Sequence, residues 1–148
     1  MKNLNILLFA LLGLALSFNS AAQPQGTVIT AANPNDHALV FFFRSDCPYC
    51  HQFAPKLAQL AAQTGTYTYA FSLDNHGIPG FEVPMPSTPD IASTFFANPR
   101  SVTVPASFLI NVNTRKFVRL TVGDVTSAQL QQSYLQSLND PQVIASMR

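Results

Sequence analysis

The chain has 148 residues, of which 47% are apolar and 10% charged, with two cysteines, no tryptophan and a formal net charge of +1. That length fits one small domain, and eight basic against seven acidic side chains, scattered singly, offer no electrostatic footprint for nucleic acid or an anionic membrane. Ten of the twelve phenylalanines lie beyond residue 22, which supplies the bulk for a core and argues against intrinsic disorder.

The N-terminus reads as a secretory signal peptide over residues 1–22. Lys2 precedes an apolar run of eleven residues, Ile6 to Leu16, and Ser20-Ala21-Ala22 offers small side chains for cleavage. Eleven helical residues cover roughly half of the ~30 Å hydrocarbon core, too little for a membrane span. Cleavage after Ala22 would leave 126 residues, 23–148, as one exported domain with no cysteine placed to accept a lipid.

Ala38-Leu39-Val40-Phe41-Phe42-Phe43 is a continuous apolar run and reads as a buried central strand. Both cysteines follow at once, as Cys47-Pro48-Tyr49-Cys50. A helix is predicted from there: Pro48 suits the first helical position, apolar residues recur at Phe53, Leu57, Leu60 and Ala61, and Thr64-Gly65 ends it. Cys50 shares the apolar stripe, so its sulfur should face the core while Cys47 sits at the open helix N-terminus.

An exported protein meets an oxidising compartment, where a structural disulfide gains most by closing a long loop. This pair closes almost none, so a chemical role is the better account. The helix dipole and free N–H groups of the first turn favour an anion, which makes Cys47 the thiol that ionises more readily. Residues three apart on a helix are neighbours, so Cys50 can attack a mixed disulfide formed on Cys47 and release the product. Against the helix dipole stands Asp46, whose like charge disfavours a thiolate next to it.

His51 extends the motif to C-x-x-C-H, the attachment signature of c-type haem, with Met85 or His76 as a sixth ligand. Haem attachment goes with a mostly helical wrap, whereas here a strand runs straight into the motif, so haem is the weaker reading. Zinc is weaker still, with Cys47, Cys50, His51 and the distant His37 or His76 as the available ligands. Otherwise His51 reads as a solvated helix residue.

Tyr67 to Leu73 alternates as a second strand, closed by Asp74-Asn75-His76-Gly77. Residues 78–90 carry four prolines and read as an extended surface insertion. Thr88 as cap and Pro89 at the first position open a short helix through Ile91, Phe95 and Phe96. In Val102 to Ile110 a proline separates two β-like stretches, where a central strand should not accept one, and a cis bond before Pro105 is expected. Phe108 to Val112, a turn at Asn113-Thr114 and Phe117 to Val122 read as a hairpin ending at Gly123. Thr126 and Gln129 then form a capping box before an amphipathic helix through Leu130, Tyr134, Leu135 and Leu138.

Taken together, the apolar strand running into C-x-x-C, Pro55 five residues after Cys50, Val104-Pro105 and Gly123 resemble the thioredoxin superfamily from about Ala38 to Leu138. The stretches ALVFFFRSDCPYCHQFAPKLAQLA and STFFANPRSVTVPASFLINVNT, with the proline-rich insertion, look more narrowly like the TrbB family of periplasmic thiol-disulfide isomerases of F-type conjugative transfer. The resemblance implies an α/β thioredoxin-like fold, with a central mixed sheet flanked by helices and the insertion lying before the cis-Pro strand. It also implies a periplasmic isomerase or reductase with Cys47 as nucleophile, Cys50 as resolving cysteine, Pro48 and Tyr49 completing the motif, and Val104 and Pro105 holding an extended substrate. No cofactor beyond the Cys47–Cys50 disulfide is implied. The expected partners are cysteine-containing pilus-assembly proteins and a redox partner; with no room in the mature chain for a separate dimerisation domain, the protein is expected to be a monomer. A disulfide donor and a pilus-assembly scaffold or holdase are the alternatives. Two departures stand out: the family's buried acid is replaced by Phe41, and its tryptophan before the first cysteine by Asp46.

Overall fold

A computed structural model describes residues 35–148; the signal-peptide expectation falls outside the described residues. In chain order the elements are β1 (His37–Phe43), α1 (Pro48–Thr64), β2 (Tyr67–Ser72), β3 (Met85–Pro86), α2 (Pro89–Phe95), β4 (Ala106–Asn111), β5 (Phe117–Val122), α3 (Ser127–Asn139) and α4 (Pro141–Ser146). The strands form one mixed sheet in the order β3-β2-β1-β4-β5. β1 runs parallel to β2 and antiparallel to β4, while β4 and β5 make the expected antiparallel hairpin.

β1 is central because it is apolar on both sides. Leu39, Phe41 and Phe43 pack with Cys50, Phe53, Leu57, Leu130 and Tyr134 of α1 and α3. Val40 and Phe42 point the other way, toward Phe108 and the α2 residues Ile91 and Phe95. Burying a side chain of this size contributes roughly 1.5–3 kcal/mol, so the phenylalanines of β1 anchor both layers.

Several expectations hold in detail. α1 opens with Pro48, contains Pro55 and ends on Gly65 in the left-handed region at φ 67°, a conformation glycine adopts without steric cost. α3 has the reciprocal Thr126–Gln129 capping box, and the Val104–Pro105 peptide is cis. Other elements differ. Residues 102–105 form no strand, so the chain enters the sheet only at Ala106. The proline-rich segment is more than surface: Ile78 is buried, Phe81 packs on Phe41 with ring centroids 5.1 Å apart, and Met85–Pro86 adds an edge strand parallel to β2. An edge strand needs hydrogen bonds on one side alone, so proline is tolerated there. α4 also extends the expected order, capped by Asp140 with Pro141 at its first turn.

Candidate active site

The turn between β1 and α1 delivers Cys47 to the helix N-terminus, where it is the N-cap residue in extended conformation, with φ −92° and ψ 108°. Cys47 and Cys50 are joined in a disulfide with their Cα atoms 5.2 Å apart. The two sulfurs have different surroundings: Cys50 is wholly buried among the α1-side core residues, whereas Cys47 is half-buried at the edge of that core. Pro48 and Tyr49 stand outside, Tyr49 with 62% of its surface exposed.

The Cys50 backbone N–H donates to Cys47 Sγ at 3.2 Å. That donor belongs to the first turn of a seventeen-residue helix, whose unpaired N–H groups and dipole favour negative charge on the capping atom. Asp46 is the opposing influence, but the Arg44 guanidinium grips its carboxylate with two contacts, Nε to Oδ1 at 2.9 Å and Nη2 to Oδ2 at 3.0 Å. These hydrogen bonds hold the Asp46 carboxyl below its ordinary range, and the pairing offsets its charge next to Cys47.

Across from the sulfurs lies the segment before β4. The Val104 carbonyl oxygen is 4.0 Å from Cys47 Sγ, and Val104 touches the core clusters on both faces of the sheet. Pro105 is buried and its carbonyl accepts the Gly123 N–H at 2.7 Å. Gly123 has φ 80°, so the strand-exit turn can approach this segment with a conformation disfavoured for other residues. The six residues singled out from the sequence, Cys47, Pro48, Tyr49, Cys50, Val104 and Pro105, therefore converge at one end of the sheet.

Supporting residues here carry no sequence motif. Ser45 donates through its N–H and its hydroxyl to Asp74 Oδ2, at 2.9 and 2.8 Å. His51, expected to be a solvated helix residue, turns its Nε2 to the Ser45 carbonyl at 2.7 Å. Lys56 on α1 reaches Asp124 in the loop after β5. Apart from His51 six residues on, these contacts link residues 29 and 68 apart; an acidic residue just past a strand end, as Asp74 is, was the one available signal.

Phe41, six residues before Cys47, lies fully inside the core. Among the described residues no group of three or more His, Cys, Asp or Glu side chains comes together in a way that could hold a metal. No helix among them is long and apolar enough to cross a membrane. The C-x-x-C-H motif sits at a strand–helix junction of a five-stranded sheet rather than in the helical wrap that haem attachment goes with.

Comparison with known proteins agrees with this arrangement. A search of solved structures finds thioredoxin-type folds: a protein described as the thiol:disulfide interchange protein DsbE from Chlorobium tepidum has a TM-score of 0.54 at 23% identity, over 70% of this chain and 81% of that one. The MTB protein DsbF, in mixed oxidized and reduced forms, has a TM-score of 0.51 at 17% identity, over 70% and 81%. Protein TrbB of Escherichia coli (strain K12) is 42% identical over 96 residues, 65% of this chain, and the match spans about half, 52%, of that relative's length. The family model described as TraF, F plasmid transfer operon protein, matches residues 15–135. The chain thus belongs to the TraF family of F plasmid transfer operon proteins, built on a thioredoxin-like fold.

Proposed function

We propose that this protein is an exported thiol-disulfide oxidoreductase, working in the periplasm as an isomerase or reductase on cysteine-containing components of a conjugative pilus or type IV secretion apparatus. The observation that carries the chemistry is the Cys47–Cys50 disulfide at the N-terminus of α1, with Cys47 the outer sulfur and the Val104 carbonyl beside it. The apparatus is supported by the transfer-operon family and by the likeness to TrbB.

In the reduced protein, Cys47 Sγ gives its proton to water and attacks one sulfur of a client disulfide. A Cys47–client bond forms, the client S–S bond breaks, and the second client sulfur leaves as a thiolate. From this mixed disulfide two outcomes branch. Another client thiolate attacks the client sulfur and regenerates Cys47, which rearranges the client with no net electron transfer. Alternatively, Cys50, having lost its proton, attacks Cys47 Sγ, so two electrons pass to the client and the Cys47–Cys50 disulfide remains. The half-buried peptide edge at Val104, beside the Cys47 sulfur, suits pairing with an extended client strand, which gives affinity with little sequence selectivity.

The test is trapping. Cys50→Ala should accumulate mixed disulfides on Cys47 in periplasmic extract, and Cys47→Ala should accumulate none. Absence of any trapped species with Cys50→Ala overturns the roles. A Cys47→Ser/Cys50→Ser double variant that still supports conjugation would instead favour a scaffold.

A further inference from the structure

Ser45 stands two residues before Cys47, in the turn that carries the chain from β1 into α1. Each of its polar groups is engaged. The N–H and hydroxyl donate to Asp74 Oδ2, and the carbonyl accepts from His51. Asp74 is itself held firmly, its Oδ1 taking the Ser72 hydroxyl at 2.7 Å and, more distantly, the His76 N–H at 3.4 Å. The base of this anchor is rigid, because Ser72 is wholly buried, is in register with Phe43 of β1, and is followed by Leu73, whose N–H donates to the Phe43 carbonyl at 2.9 Å. Burial works against charge on Asp74, but the Ser72, Ser45 and His76 donors outweigh it and hold the carboxyl well below the usual carboxylate range. The latch is therefore charged, and so strong, at any pH near neutral.

We propose that Asp74, acting through Ser45, is a positioning residue for Cys47: the carboxylate fixes the turn so that the sulfur emerges over the Cys50 N–H and beside the Val104 carbonyl. This rests on reading Cys47 as the attacking thiol. Besides Asp74, the turn is held by His51 Nε2 at the Ser45 carbonyl, 2.7 Å away; the Cys47 N–H reaches the Arg44 carbonyl only at 3.3 Å and the Arg44–Asp46 pair is exposed. A sulfur that drifts from the Cys50 N–H loses a hydrogen bond that favours its ionised form.

Positioning and direct charge predict opposite signs. As a bare charge, Asp74 would disfavour a nearby thiolate, so its neutralisation would ease Cys47 ionisation. As a latch it keeps the N–H donation in place, so its loss hinders ionisation. The other titratable groups on the turn and the first turn of α1 are Arg44, Asp46, Tyr49, Cys50 and His51, and the facing Val104–Pro105 segment brings none.

The experiment measures the pH dependence of Cys47 alkylation by iodoacetamide in reduced full-length protein, in a Cys50→Ala background so that one thiol reacts. Ser45→Ala keeps the Asp74 charge and cuts the hydroxyl contact, while Asp74→Asn removes the charge. The proposal expects both to shift the titration upward by about half a unit or more, read as about threefold slower alkylation below the midpoint, with the circular dichroism of a folded protein. A downward shift for Asp74→Asn with Ser45→Ala unchanged overturns it in favour of direct charge, and no shift in either overturns it in favour of a purely structural contact. If Asp74→Asn does not fold, Ser45→Ala alone decides. Because variants are compared with their parent on a small reagent, the latch is tested whether or not any client is engaged; failure of client trapping overturns only the functional reading.

Discussion

Lys56 of α1 and Asp124 of the loop after β5 form a partly buried ion pair, Nζ to Oδ1 at 2.6 Å, and the same ammonium donates to the Val125 carbonyl at 2.9 Å. Gly123, next in the loop, holds Pro105, so the pair ties the helix bearing both cysteines to the segment facing them. Lys56→Ala should lower unfolding stability by about 1 kcal/mol, the modest value of a pair still partly open to solvent. Asp124→Ala and the double variant complete a thermodynamic cycle in urea. A coupling energy indistinguishable from zero would remove the tie.

Asp74 should make stability depend on pH in a defined direction. Its folded-state carboxyl lies below the ordinary value of 3.8, so its contribution is complete above that value and fades as pH falls through the folded one. Asp74→Asn is therefore expected to be less stable than the parent at pH 7, with the gap closing on acidification below about pH 4. Urea midpoints at the two ends of that range check it, and a gap that does not change with pH contradicts it.

Gly77 is constrained by space. A Cβ there would sit 2.3 Å from the Glu82 carbonyl oxygen and 2.7 Å from its carbon, backbone atoms that cannot swing aside. Gly77→Ala should cost about 1–3 kcal/mol and lift Phe81 away from Phe41 and Phe43. Thermal unfolding by circular dichroism measures the loss; a variant as stable as the parent would mean that the 77–82 segment rearranges freely.

Tyr49, between the cysteines, is 62% exposed, so Tyr49→Ala should change stability by no more than ~0.5 kcal/mol. Tyr49 offers an exposed aromatic side chain two residues on from Cys47, and aromatic contacts contribute strongly to recognition. Mixed-disulfide formation with an unfolded, disulfide-bonded client should slow several-fold while iodoacetamide alkylation of Cys47 stays the same. Equal slowing of both reactions would place the effect on the sulfur instead.

What the sequence reveals and what it hides follow from the range of the forces involved. The β1 run, the caps at Thr88 and Thr126 and the stripe through Cys50, Phe53 and Leu57 are local patterns, and each element stands where its pattern puts it. β3 escapes because two residues containing a proline have no strand signature; it exists through pairing with Phe71 and Ser72. α4 lies beyond the expected order: its Asp140-Pro141 start repeats the cap-and-proline pattern of Thr88-Pro89, but six residues carry no apolar stripe. The cysteines and Val104-Pro105 were readable as chemistry. Ser45–Asp74 and Lys56–Asp124 were not, because common polar residues acquire meaning only when folding brings distant segments together.

Consecutive phenylalanines at the end of β1 leave that strand weakly indexed. Sliding it by one place swaps its two faces, yet with Phe41, Phe42 and Phe43 in succession the swap would largely exchange one benzyl group for another. Discrimination between threadings must then come from polar marks at the strand's two ends: the Asp36 carbonyl receiving the Val112 N–H at 3.0 Å, and Ser45 meeting Asp74. A mis-threaded copy would bury its aromatics almost as well and miss both marks, so the same contact that aims the sulfur also proofreads the strand that carries it.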